Sequence, residues 1–216
     1  MRNTAQPVAI VTTYMKDANR PQRSSRLVHG ATLSSFTSVS LDPPLVAFSL
    51  KTPSRLAEAL VDGSTAESSS INTENAEAHF VISILSDAQV DIAKAFSVPG
   101  LAPYESTEAT ALGRHQSPHP LELHNTAPAP RADGVPYLTD SVGAFSCRLY
   151  GVLDLRAKRH PIHWSPSSAL TSLASVNDPK DTGSILLVAE IVHVDHIGSR
   201  ADRPMVYWNR NFAHVA

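Results

Sequence analysis

Between Gly30 and Arg55 the chain reads GATLSSFTSVSLDPPLVAFSLKTPSR. Six hydroxyl side chains, Thr32, Ser34, Ser35, Thr37, Ser38 and Ser40, crowd an otherwise apolar segment. Hydroxyls both donate and accept hydrogen bonds, so such a run offers many contacts to a flat polar ring. A stiff turn, Asp42-Pro43-Pro44, separates it from the apolar run 45–50. That run reads as a strand buried on both faces. Lys51-Thr52-Pro53-Ser54-Arg55 follows at once, at the start of a predicted helix. Free N–H groups and the helix dipole favour an anion there. The Arg55 fork can make two charge-assisted hydrogen bonds, Lys51 adds a point charge, and Ser54 adds a hydroxyl. The whole stretch is expected to cradle a phosphorylated, flat cofactor. The competing reading is a Ser/Thr-rich edge strand facing water, followed by an ordinary helix cap.

Other chemistry finds less support. His160/His163 and His193/His196 are spaced i, i+3, which on a strand points them to opposite faces. They therefore make poor joint metal ligands. His115, His119 and His124 fall in a proline-rich stretch without a rigid frame. No metal site is expected. Cys147 has no base motif nearby and reads as a core residue. There is no G-x-S-x-G, no phosphate-loop motif and no G-x-G-x-x-G after a strand.

The elements that must position the cradle are mostly strands. Residues 8–13 are a β-branched run, and 26–33 return after a polar loop at 16–25. Ser54 is placed to cap a helix over 55–61. Residues 62–78 are rich in Ser, Asn and Glu and read as an exposed insertion. A strand at 79–85 leads into a helix capped by Asp87, with Val90, Ile92, Ala93 and Phe96 at helical spacing. Residues 97–133 hold six prolines and predict a mobile cover loop. From 143 to 155 the residues alternate: Phe145, Cys147, Leu149, Leu153 and Leu155 on one face, Ser146, Arg148, Tyr150 and Asp154 on the other. A short helix is expected within 165–175, an apolar strand at 185–194 and a last strand at 205–208. Many strands with Pro/Gly punctuation argue for a mainly β fold, a closed barrel or a sandwich.

The chain has 216 residues, a hydrophobic fraction of 42% and a net charge of -2. That suffices for one domain with a real core and gives no electrostatic case for nucleic acid or an anionic membrane. No apolar run approaches the ~20 residues a membrane span needs, and the N-terminus shows no signal-peptide pattern. A single cysteine suits a reducing compartment, so the expected location is intracellular, cytoplasmic or mitochondrial.

The run HGATLSSFTSVSLDPPLVAFSLKTPSR resembles the signature of the flavin reductase-like family, the FMN-binding split barrels. Residues 7–13, HFVISILSDAQVDIAKAF at 79–96, Gly134-Val135-Pro136 and Pro204-Met205-Val206-Tyr207 are similar to further pieces of that family. The resemblance implies a single domain over 1–216, a Greek-key-like antiparallel split β-barrel with a few short flanking helices and insertions near 62–78, 97–133 and 160–180. It implies FMN, or FAD, held by Ser34, Ser35, Thr37, Ser38, Val39, Ser40, Ser49, Lys51, Ser54 and Arg55. It also implies NAD(P)H as co-substrate, a homodimer, and a monooxygenase or other acceptor for the reduced flavin. Tyr207, Trp208 and Phe212 are candidates for the dimer interface or for closing the core. One departure stands out. Many such reductases carry Gly-Asp-His ahead of Gly-Glu-Val; here Glu190 is kept but Ser184 stands where the His falls. That His is tied to nicotinamide binding, so no catalytic residue is assigned. The alternative is a flavin-binding or flavin-free barrel without reductase activity, serving a biosynthetic step on a small aromatic or polyketide-like substrate.

Overall fold

The computed structural model describes residues 4–15, 27–65, 78–105, 118–155, 164–166, 182–199 and 202–214. In chain order the strands and helices are β1 (Gln6–Pro7), β2 (Ala9–Met15), β3 (Leu27–Leu33), β4 (Thr37–Leu41), β5 (Pro44–Thr52), α1 (Arg55–Thr65), β6 (Phe80–Ile84), α2 (Val90–Ser97) and β7 (Tyr104–Glu105). They continue with β8 (Thr126–Pro128), β9 (Pro136–Leu138), β10 (Gly143–Asp154), β11 (Trp164–Pro166), β12 (Gly183–Ile197), β13 (Met205–Trp208) and β14 (Asn211–His214). Over the described residues the architecture is mainly β with two short α-helices, as the sequence implies.

The main sheet runs β4-β5-β12-β10-β6-β2-β3-β7, with β11 added on β10. Leu33 of β3 and Val46 of β5 share one core although four strands lie between them in the sheet order, so the sheet curls back on itself. Leu56, Ala57, Leu60 and Val61 of α1 fill the hollow, against Phe48, Phe80, Ile82, Leu149 and Leu187. Ser54 starts this helix as its spacing predicts: its Oγ accepts the Ala57 N–H at 3.2 Å. The helix then runs two turns' worth of side chains inward, burying an apolar stripe that water would otherwise meet.

A second core lies on the opposite face of β2 and β3, where Val8, Ile10 and Val28 meet Ile92, Ala93 and Phe96 of α2 and Met205 of β13. Gly30 lets α2 approach: a Cβ there would stand 2.7 Å from the Val11 carbonyl and 3.0 Å from Phe96 Cε1. β13 pairs β1 and β14 in a small separate sheet.

Several expectations are corrected. α1 continues to Thr65, so the stretch at 62–78 begins as helix, and 66–77 lies outside the described residues. The turn before α2 is capped at Ser86, not Asp87: the Ser86 N–H donates to Gln89 Oε1 at 3.0 Å. Within the predicted run 45–50, Val46, Ala47, Phe48 and Leu50 are buried, but Leu45 and Ser49 are half-buried, so the strand is not covered evenly on both faces. Within 97–133, Tyr104 joins the main sheet opposite Val28, β8 pairs β9, and Leu121, Ala129 and Ala132 are buried. Residues 106–117 of that stretch lie outside the described residues, as does the helix expected beyond Pro166. Residue 165 itself is strand.

The alternation of β10 holds through Leu149 and then slips. The register against β12 shifts between Leu149 and Gly151, a β-bulge. Beyond it Val152 takes the core position, and Leu155 is exposed. A period of two cannot foresee this, because one inserted residue flips every later side chain.

Candidate functional site

The hydroxyl run forms the turn from β3 to β4 and then β4 itself. Among the described residues β4 is the edge strand of the main sheet and pairs only β5, Thr37 opposite Ala47 and Ser38 opposite Val46. A register shift between Ser38 and Ser40 leaves Val39 as a bulge residue, 55% exposed. Thr37 and Ser38 are exposed, whereas Ser34 and Ser35 are half-buried in the turn. Ser35 is engaged by the fold, bonded to the Ser49 main chain. Ser40 accepts the Asp42 N–H at 3.2 Å and shapes the β4–β5 turn.

β5 separates the site from the core. Val46, Phe48 and Leu50 point inward. Ala47, Ser49 and Lys51 therefore point outward. Opposite them on β12 stand Val188, Leu186 and Ser184. The outer face thus carries rows of small and hydroxyl side chains: Thr37-Ala47-Val188, then Ser49-Leu186, then Lys51-Ser184 at the basic end. Ser184, the position that departs from the family's His, lies directly across from Lys51. Such a shallow face with hydroxyls along one edge and a cation at one end fits a flat ring bearing an anionic tail. The residues present therefore suit a flavin nucleotide.

Ser54 and Arg55 sit past the basic end, at the start of α1. The Ser54 hydroxyl is the helix cap already described. Arg55 Nη2 donates to the Leu101 carbonyl at 3.3 Å, so its guanidinium lies toward the sheet edge at β3 and β7. Beside it is His29, whose pKa falls from 6.5 to about 4 because burial disfavours the imidazolium and Arg55 and His119 add positive charge. His29 directly precedes the hydroxyl-rich run, and its spacing alone assigns it no role. His119 stacks on Tyr104 with ring centroids 5.2 Å apart, and Phe96 meets it edge-on.

A second depressed histidine is His79, also lowered to about 4 by burial and by Arg148. Its Nε2 accepts the Leu149 N–H at 3.1 Å while the His79 main-chain N–H donates to the Cys147 carbonyl, extending the β6–β10 ladder past Phe80. Arg148 pairs in turn with Glu190 at 2.9 Å across β10 and β12. Cys147 is fully buried and its thiol is pushed up by burial and by Asp195, which removes it as a nucleophile. Among the described residues no group of His, Cys, Asp or Glu could hold a metal ion, and no helix is long and apolar enough to cross a membrane. His115, His160 and His163 lie outside the described residues.

Known structures share this fold. The NADH:FAD oxidoreductase SgcE6 of Streptomyces globisporus, solved with NAD and FAD fragments, superposes with a TM-score of 0.59 at 16% identity, over 99% of this chain and 87% of that one. BorF, the flavin reductase component of a bacterial two-component tryptophan halogenase, gives 0.60 at 19% identity over 99% and 92%. The styrene monooxygenase flavin reductase of Pseudomonas putida gives 0.56 at 19% identity over 100% and 94%. At these identities the likeness is one of fold. The sequence profile of the flavin reductase like domain matches residues 1–216, and the chain belongs to the flavin reductase-like family.

Proposed function

We propose that this protein is an oxidoreductase that reduces FMN with electrons from NAD(P)H and hands the reduced flavin to a separate acceptor such as a monooxygenase. The observation that carries this reading is the outward row of Thr37, Ala47, Ser49 and Lys51 on β4 and β5, hydroxyl at one edge and basic at one end. Bound flavin supplies the hydride chemistry; the protein supplies orientation and electrostatics. Main-chain groups of residues 34–40 and the hydroxyls not engaged by the fold, Ser34 among them, hold the ring edge. Lys51, Ser54 and Arg55 serve the phosphate, where charge-assisted hydrogen bonds are strongest. The chain works as a homodimer, with a second subunit shielding the ring from water.

Ser184 favours a second reading. A serine cannot do what an imidazole does at that position, so the chain binds flavin without oxidising NAD(P)H and serves a biosynthetic step. One assay separates the two. Purified protein is mixed with FMN or FAD, then with NADH or NADPH, and the nicotinamide absorbance is followed. Repeated turnover supports the reductase. Flavin binding without turnover supports the second reading, and failure to bind either flavin overturns the reductase and leaves only the flavin-free form of the alternative.

A further inference from the structure

The far side of the outward face is aromatic. The bulge in β10 leaves Leu149 and Val152 in the core and turns the two residues between them, Tyr150 and Gly151, outward. Gly151 stands opposite Val188 and so continues the row Thr37-Ala47-Val188. It has no side chain, and the Trp164 indole of β11 occupies the space. A Cβ on Gly151 would lie 2.3 Å from Trp164 Cζ2 and 2.5 Å from Cη2. The indole therefore rests on the outer face of the sheet, on the same side as Ala47, Ser49 and Lys51. It remains 40% exposed, with Tyr150 tilted against it at a centroid distance of 6.4 Å. Three strand spacings of ~4.8 Å put this aromatic wall about 14 Å from the hydroxyl edge at Thr37. Between the two, on this face, lie Val188, half-buried, and Ala47, buried among its neighbours.

The geometry points to Trp164, backed by Tyr150, as the residue that packs an aromatic face against the isoalloxazine ring of the flavin. This rests on the reading that this face takes flavin. Hydroxyls and cations hold a flavin by its polar edge and its phosphate, and neither covers apolar ring surface. An indole is the largest π surface a side chain offers, and aromatic contacts are the means by which proteins hold flat rings. Gly151 is then part of the site, because any side chain there would drive the indole off the sheet. Tyr150 and Gly151 owe their outward position to the bulge, so a local irregularity of β10 builds the wall.

The test measures the FMN dissociation constant, by quenching of flavin fluorescence, for the wild type and for Trp164→Ala, Trp164→Phe and Gly151→Ala. Far-UV circular dichroism checks that each variant folds. Trp164→Ala is expected to weaken binding about ten-fold, the size of one aromatic contact, and Trp164→Phe to keep most of the affinity. Gly151→Ala retains the indole but displaces it, and is expected to weaken binding to a similar degree. It decides the matter should Trp164→Ala not fold. Equal affinity of the wild type, Trp164→Ala and Gly151→Ala overturns the assignment and leaves the flavin reading standing. A wild type that binds no flavin overturns the flavin reading itself, and this inference with it.

Discussion

The side chain of Ser35 is paired with the main chain of Ser49: its Oγ accepts the Ser49 N–H at 2.9 Å and donates to the Ser49 carbonyl at 3.3 Å. The β4–β5 ladder ends at Thr37 opposite Ala47. Ser35 thus supplies the next rung from its side chain and ties the β3–β4 turn onto β5. Replacing it by Ala leaves a half-buried N–H and carbonyl without their partner. A lost hydrogen bond of this kind costs about 1 kcal/mol, so thermal unfolding of Ser35→Ala should fall by about 2–4 °C. Ser35→Thr should recover most of the loss. An unchanged melting temperature with weakened flavin binding would move Ser35 from a fold role to a ligand role.

Arg55 is expected to act on the phosphate and on His29 at once. Arg55→Ala should weaken FMN binding about ten-fold to a hundred-fold, the loss of a charge-assisted hydrogen bond worth roughly 1.5–3 kcal/mol. Riboflavin, which lacks the phosphate, should bind almost unchanged. The same substitution should raise the His29 pKa, because the guanidinium is one of the groups holding it down. The rise should be partial, since burial is the larger cause. Titration of the His29 ring by NMR reads the second effect, and a pKa that does not move would place the guanidinium elsewhere.

His29 and His79 make stability fall in acid. Both have folded pKa values of about 4 against an ordinary 6.5. Between those values the unfolded chain binds more protons than the folded one, so stability rises with pH across that window. The contribution is complete above about pH 6.5 and is lost as pH falls through about 4. Protonation of His79 also removes the acceptor that serves the Leu149 N–H. Denaturant midpoints at pH 7, 5.5 and 4.5 should decline steadily. His79→Gln keeps an acceptor without a titrating group, and its midpoint should decline less.

Of the three C-terminal aromatics, Tyr207 and Phe212 pack into the second core with ring centroids 5.4 Å apart, while Trp208 is 48% exposed. Only Trp208 is therefore available to a dimer interface. Light scattering after size exclusion should give twice the 23.2 kDa chain mass, and Trp208→Ala should shift the chain toward monomer. A wild-type monomer at micromolar concentration would remove the dimer. A variant that stays dimeric would remove Trp208 from the interface.

Local pattern alone carried much of this protein. Hydroxyl density marked the segment 32–40, the strand period marked β2, β3, β5, β6 and β12, and Ser54 marked the start of α1. Those features depend on neighbours within a few residues, which is what a sequence displays directly. The tertiary structure decided the rest. Ser35 finds Ser49 fourteen residues on, a pairing that exists only once β4 folds back against β5. Tyr104, Leu121, Ala129 and Ala132, in a stretch whose prolines suggest a mobile cover, gain burial or strand pairing from distant partners. Trp164 lies over Gly151 on the outer face only because β11 pairs β10 and a bulge turns Gly151 outward. A bulge is a property of two strands in register, not of one strand's composition, so no reading of residues 143–155 alone could say which face Leu153 or Gly151 would take.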